Sequence, residues 1–302
     1  ESAYTILTAG TLNGKATFDG AATDLPYIFA GSVTASGNDL VLDIRRKTAD
    51  EVGLRRAAAQ AYDAIVTAAE TDTKMSGDIL GIDDAATLQT QLDQLLPDHA
   101  GGVFDAVTRS SRLSAQHVME ADSTFDVSDV GSWIEPIYWR AEKDTTDTAS
   151  YKYSGWGLST GLEKATGMGR IGISYAWLKS SLDDNGGSGK LNVQQHEVGL
   201  FWRLAKGPFY AFARASAARV MVSSKRTFSG DDAGTAFTYT SDGDWKGWLF
   251  SGTAGASYDI DVGENFTLRP KGVVDYYRLH ESGYTESGGG TAMDLTVEGR
   301  SS

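Results

Sequence analysis

Residues 155–163 read Gly-Trp-Gly-Leu-Ser-Thr-Gly-Leu-Glu, so that large apolar residues alternate with very small or polar ones. A period of two is typical of a β-strand, with Trp156, Leu158 and Leu162 on one face. A soluble sandwich would bury this large face and carry mixed, charged residues on the other. In a membrane barrel, bulky apolar side chains contact lipid while the lumen side stays small or polar. The stretch therefore favours a membrane-spanning strand.

The same alternation returns along the C-terminal part of the chain. All seven Trp lie between Trp133 and Trp248, which indicates a domain boundary near residue 130. Trp and Tyr at the ends of the alternating runs fit the aromatic girdles of a membrane barrel. About eight strands are predicted between residue 132 and Ser302. The clearest runs cover residues 155–163, 171–177, 197–203, 250–258, 266–276 and 293–298.

The links between these runs differ in length. Short links are predicted around residues 164–169, 205–208 and 261–265, and long polar links around 142–152, 180–190, 222–244 and 280–292. Outer-membrane barrels alternate tight periplasmic turns with longer external loops. Because the first hairpin has a long link, its first strand is predicted to run outward from the periplasm.

The N-terminal part has a different pattern. Residues 1–47 contain even spacings of apolar residues broken by Gly-containing turns, which indicates short strands. Apolar residues at helical spacing follow and form two stripes. The first ends before residue 70, and the second starts after Asp84 and stops at Pro97. A third helix, with a largely polar surface, is predicted from Val103 to about Glu120. The two stripes consist of Ala58, Tyr62, Ile65 and Ala69, and of Leu88, Leu92, Leu95 and Leu96.

Composition excludes several classes of protein. The 302 residues include 27 basic and 40 acidic ones, a net charge of −13 that argues against a nucleic-acid partner. No Cys is present, which removes disulfide scaffolds and Cys-ligated metals, and the four His have no metal-ligand spacing. Residues 157–161 match the G-x-S-x-G nucleophile elbow, but that elbow needs a turn into a helix, and here the strand period continues. We expect no catalytic, cofactor-binding or metal-binding residue.

Several segments resemble the translocator barrel of bacterial autotransporters, the proteins of type V secretion. They are residues 155–163, 196–202, 266–290 and 293–300. The resemblance implies a twelve-stranded antiparallel barrel in the bacterial outer membrane, whose pore is threaded by a helix and which exports a passenger to the cell surface. It also implies assistance from the barrel-assembly machinery and periplasmic chaperones. With about eight of twelve strands before Ser302, further strands are expected beyond it.

This resemblance predicts three domains. Residues 1–47 would be the C-terminal end of a β-helical passenger, 48–125 a helical linker that includes the pore helix, and 126–302 the barrel domain. On the pore helix, Arg109 and Arg112 project from one side. They are expected to pair with carboxylates among the residues predicted to face the lumen, which are Glu163, Glu197, Arg203, Arg269, Lys271 and Asp275.

Two other functions remain open at this stage. A diffusion porin has a similar strand pattern but would lack the upstream helix and strands. A soluble β-rich binding module would fold without detergent.

Overall fold

A small antiparallel sheet forms the start of the chain in the computed structural model, which describes residues 2–13, 20–22, 24–96, 102–120, 129–144, 150–184, 188–263 and 266–302. Its strands pair in the order β1-β4-β3-β2. All three pairings are antiparallel, which differs from the parallel rungs expected for the end of a β-helix. The reason is local, since a two-residue turn at Gly37 reverses the chain between β3 and β4. The strands are β1 (Ser2–Thr8), β2 (Gly20–Ala21), β3 (Phe29–Ser36) and β4 (Asp39–Arg46).

Five helices follow in the described residues. The first predicted stripe is buried in α1, and α3 buries Leu88 and Leu92 of the second, whose last two leucines follow the end of the helix. The carboxylate of Asp84 caps α3 by accepting from the N–H groups of Ala86 and Thr87. Helix α2 was not predicted, because Met75 and Ile79 are too few to form a visible stripe. No helix in the described ranges is long and apolar enough to cross a membrane. The helices are α1 (Arg56–Ala69), α2 (Thr73–Leu80), α3 (Ala85–Gln94), α4 (Gly102–Ser114) and α5 (Gln116–Met119).

The C-terminal part is an eight-stranded antiparallel sheet in the order β16-β13-β10-β9-β8-β7-β6-β5. It is not closed, since no pairing among the described residues joins β5 to β16. Two small hairpins, β11-β12 and β14-β15, lie in the links. The strands are β5 (Val130–Lys143), β6 (Tyr151–Thr166), β7 (Gly169–Asp184), β8 (Gly189–Lys206), β9 (Phe209–Asp232), β10 (Thr235–Tyr258), β11 (Ile260–Gly263), β12 (Phe266–Leu268), β13 (Lys271–Glu281), β14 (Tyr284–Thr285), β15 (Thr296–Val297) and β16 (Arg300–Ser301).

The two faces of this sheet differ as the alternation predicted. Large apolar side chains are exposed on the outer face, where Leu200 is 64% and Ile134 71% exposed. Polar side chains such as Glu197 and Ser174 are buried on the inner face, against which α4 packs. The bulky face is therefore the one that lipid covers, and the polar face lines a lumen.

One predicted link and one predicted strand are corrected by the structure. Residues 222–244 are not a loop, because β9 and β10 run 24 residues each and meet in a two-residue turn at Ala233 and Gly234. Both turn residues have positive φ, 50° and 88°, as such tight hairpins require. Residues 293–298 are not a long strand either, since Met293 is buried among the helices and the last strand is β16.

Candidate functional site: the helix inside the curved sheet

Helices α4 and α5 lie against the inner face of the sheet. The sequence predicted one helix over this span, and the structure divides it at Ala115. The buried side of α4 is built mainly from small residues, which lets the helix approach the strands closely. These residues are Gly102, Val103, Ala106, Val107, Ser110, Ser111 and Ser114.

Serine hydroxyls connect α4 to the sheet. Ser110 Oγ donates to Gln195 Oε1 at 2.9 Å, and Ser114 Oγ donates to Glu197 Oε1 at 3.0 Å. Ser111 Oγ lies 3.2 Å from Ser251 Oγ on β10. These serines were not selected from the sequence. Their spacing of three and four residues was the signal that could have found them.

Glu197 is neutralised by a residue that sequence reasoning missed. Arg214 Nη2 on β9 lies 2.5 Å from Glu197 Oε1, and both side chains are buried. Gln195 Nε2 also donates to Glu197 Oε2 at 2.8 Å. Arg214 was hidden in the sequence because small and aromatic residues occupy both faces of residues 209–218.

Glu163 and Arg203 form a second buried ion pair on the inner face. Arg203 Nη2 lies 2.6 Å from Glu163 Oε1, and Arg203 Nε lies 2.9 Å from Oε2, so the contact is bidentate. Arg170 Nη1 approaches the same carboxylate at 3.2 Å. Two strands of the sheet thus supply the charges that Glu163 requires.

Of the expected pairs between the helix arginines and the lumen carboxylates, the described structure shows the one between Arg112 and Asp275. Arg109 and Arg112 lie on the exposed side of α4, where they line a cavity of about 600 Å³ with Tyr153 and Tyr277. Arg112 Nε lies 3.5 Å from Asp275 Oδ2, and neither arginine reaches Glu163 or Glu197 in the described structure. The physical reason is that strand arginines already neutralise those two carboxylates.

The last two candidate residues are placed differently. Lys271 Nζ donates to the carbonyl oxygen of Met119 at 2.8 Å, at the C-terminal end of α5. Arg269 lies outside the lumen, in the exposed link before β13, where its guanidinium pairs with Asp259 and lowers the pKa of that carboxyl. The prediction that Arg269 faces the lumen is corrected, because the strand begins only at Lys271.

Helix α5 is fixed to the wall by an aromatic contact. The His117 ring stacks on Trp133 with ring centroids 4.0 Å apart, and His117 Nδ1 lies 2.6 Å from Glu135 Oε1. Trp133 turns inward because Gly161 faces it across the β5-β6 pair, where a Cβ would come within 2.0 Å of the ring. Tyr210 also donates to the carbonyl oxygen of Val118 at 2.6 Å.

The G-x-S-x-G match has a structural role here. Ser159 lies in the middle of the unbroken strand β6, and its Oγ donates to the carbonyl oxygen of Ser114 at 3.3 Å. No strand-to-helix turn follows it, so the geometry of a nucleophile elbow is lacking. Within the described ranges, no group of three His, Cys, Asp or Glu residues could hold a metal ion.

This combination of an antiparallel sheet and an enclosed helix can be compared with known proteins. The family model of the autotransporter beta-domain matches residues 132–302. The chain belongs to the autotransporter family. The structure is similar to the translocator domain of autotransporter NalP from Neisseria meningitidis, with a TM-score of 0.50 and 16% identity over 67% of this chain and 68% of that one. A comparison with curated proteins gives no match.

As an autotransporter β-domain, residues 132–302 form an outer-membrane translocator that serves passenger export. The porin and soluble-module alternatives are thereby set aside. The turns at residues 167–168 and 207–208 are short, as periplasmic turns are, and the tip of the β9-β10 hairpin lies at the opposite, external end.

The external part of this autotransporter carries helices α1 to α3. They pack on the extended β9-β10 hairpin through Phe228 and Phe237. Tyr239 donates to Asp72 Oδ2 at 2.9 Å, and the N–H of Asp231 donates to Asp78 Oδ1 at 2.7 Å. The helical segment of the autotransporter is thus divided between an external layer and an internal helix pair.

Proposed function

We propose that this translocator has no enzymatic activity of its own and that α4 and α5 close its lumen. The observation that supports this most directly is the buried small-residue side of α4, with hydroxyl contacts from Ser110 to β8 and from Ser111 to β10. A helix bound to several strands at once fills the space that an ion would cross. Any enzymatic or adhesive activity would then reside in the passenger.

The domain division follows the same reasoning. Residues 1–47 would be the end of the passenger, 48–125 the linker, and 126–302 the barrel domain. The external packing of α1 to α3 and the internal packing of α4 support a linker that passes from the cell surface into the lumen. Residues 121–128 lie outside the described residues, so the boundary at 125 is proposed from the sequence.

The proposed partners are the outer-membrane lipid, the passenger, the barrel-assembly machinery and periplasmic chaperones. The last two rest on the resemblance to the family. The barrel needs such assistance for a physical reason. Strands with unpaired edges and bulky apolar faces associate with one another in water unless they are protected.

Conductance of the full-length autotransporter in planar bilayers tests lumen closure. The intact protein should conduct weakly, and deletion of residues 102–120 should open the pore. Ser110→Ala/Ser114→Ala should increase open events, because it removes two hydroxyl contacts without adding side-chain volume at these buried positions. Thr108→Val is the matched control, since Thr108 bonds only within α4. Unchanged conductance in the deletion would show that another segment fills the lumen.

A further inference from the structure

Two arginines face outward on the sheet, on either side of strand β10. Arg219 on β9 is opposite Trp248, and Arg278 on β13 is opposite Phe250. Their inward neighbours Val220 and Leu279 are fully buried, so alternation directs both arginines away from the lumen. The strands are about 4.8 Å apart and the two positions are offset by two residues along them, which places their Cα atoms about 12 Å apart.

Arg219 is held by an aromatic ring rather than by a carboxylate, and Arg278 lies beside two further aromatic side chains. Arg219 Cζ lies 5.3 Å from the centre of the Trp248 ring. Arg278 lines an outward-facing cavity of about 480 Å³ together with Trp248, Phe250 and His280. Among the described residues, neither arginine forms an ion pair. The next outward carboxylate along β10, Asp244, accepts a hydrogen bond from Ser223 at 2.6 Å.

The level of this cluster is the external boundary of the membrane. Ten residues separate Trp248 from Tyr258, about the length a tilted strand needs to cross the hydrocarbon core. Tyr258 is at the periplasmic turn, so Trp248 belongs to the external girdle. A cation on the lipid face costs about 2–4 kcal/mol at mid-membrane and about 0–1 near the boundary, where it can reach a lipid head group.

An apolar groove of about 550 Å³ lies on the same outer face, nearer the periplasm than the cluster. Small outward residues of β9 and β10 form its floor, among them Ala213, Ala215 and Ala254, and larger side chains of β8 and β13 form its walls, among them Leu200 and Tyr276. Such a groove accommodates hydrocarbon chains below a cationic site.

We propose that Arg219 and Arg278 bind the phosphate of a lipid head group in the outer leaflet, while the acyl chains of that lipid lie in the groove. Guanidinium groups bind phosphate oxygens through paired N–H donors, and Trp248 keeps the Arg219 group in place. Two guanidinium groups match the double charge of a phosphomonoester. The chain's net charge of −13 makes a cationic site at this boundary a local feature rather than a general attraction to anions.

Native mass spectrometry of the full-length protein in uncharged detergent tests this site, with diphosphoryl lipid A as the probe. The wild type should retain one lipid, and Arg219→Gln/Arg278→Gln should bind it about tenfold more weakly. Arg140→Gln/Lys179→Gln is the matched control, since it removes two outward charges from β5 and β7 and should keep binding. A change in migration between unheated and heated electrophoresis samples shows that each variant is folded, and Arg219→Lys/Arg278→Lys should bind at an intermediate level.

Three results would overturn the proposal. Equal retention of enzymatically dephosphorylated lipid A would show that the phosphate is not recognised. Equal weakening in the control variant would show general charge attraction. Displacement of the lipid by inorganic phosphate in modest excess would show an anion site without a contribution from the acyl chains.

Discussion

Glu197 on β8 and Arg214 on β9 form a buried ion pair, and Ser114 of α4 donates to the same carboxylate. The wall of the barrel and the helix inside it therefore share one charged centre. A pair in this position contributes mainly by preventing either charge from being buried alone.

Removing one partner of this pair should be costly. We expect Glu197→Ala to lower the free energy of unfolding by about 3–5 kcal/mol, because Arg214 then stays buried without a counter-charge. Urea unfolding of the full-length protein in detergent, followed by Trp fluorescence, measures this. Glu197→Leu/Arg214→Leu is the control and should be more stable than the single variant. The opposite order would contradict the pair's role.

The outer face should reject charge at mid-membrane. Leu200→Lys is expected to cost about 2–4 kcal/mol when the protein folds into bilayers. Leu204→Lys is on the same face of β8 but nearer the periplasmic turn, so it should cost about 0–1 kcal/mol. Equal costs at the two positions would mean that the assigned depth of Leu200 is wrong.

Gly161 should tolerate no side chain. A Cβ there would overlap the Trp133 ring, which in turn stacks on His117 of α5. We expect Gly161→Val to displace Trp133 and to destabilise the barrel by about 1–3 kcal/mol. Gly252→Val is the control, because nothing lies within 4 Å of its Cβ position. Thermal unfolding measures both, and a stable Gly161→Val would indicate that Trp133 can repack freely.

Docking of the external helices should strengthen as the pH falls. Burial raises the pKa of Asp78 above its ordinary 3.8; the Asp231 N–H opposes this shift, and the carboxylates of Asp231 and Asp232 on β9 add to it. A proton on Asp78 therefore favours the docked state, and that contribution is lost as the pH rises through the raised pKa. Asp72 has the opposite effect on docking, and at lower pH. Burial raises its pKa, but hydrogen bonds from Met75, Tyr239 and Lys74 outweigh this and lower it, so its contribution is lost as the pH falls through the lowered pKa.

These 302 residues contain no cysteine, so spin labels can be attached at chosen positions to follow this docking. Labels at Gln60→Cys and Thr238→Cys report the distance between α1 and the hairpin in the full-length protein. As the pH falls from about 7 to about 4, the urea concentration needed to separate α1 from the hairpin should increase. Asp78→Asn should remove this dependence, and Asp63→Asn, at an exposed position, should keep it. A dependence that survives in Asp78→Asn would assign it to another group.

The sequence predicted what depends on local periodicity. The strand at residues 155–163 and the helix beginning after Asp84 follow from spacing alone. The long β9-β10 hairpin was missed because its apolar residues, Phe228 and Phe237, pack on helices far away in sequence. Arg214 was missed for a related reason, since Ala-rich flanks conceal which face it occupies. The ion pairs in the lumen depend on how neighbouring strands are aligned, and that alignment cannot be read from any one segment of the sequence.

The length of the β9-β10 hairpin has a mechanical consequence. Strands of 24 residues extend about 80 Å, well beyond the roughly 30 Å of hydrocarbon that they must cross. Because α1 to α3 are bonded to the projecting part, tension on the chain N-terminal to them enters the sheet through this hairpin. The backbone hydrogen bonds between the long strands then carry this force together. Helix α4 does not carry it, because the force enters the sheet before it reaches the helix. The projecting hairpin thus anchors the surface-exposed part of the molecule to the barrel wall.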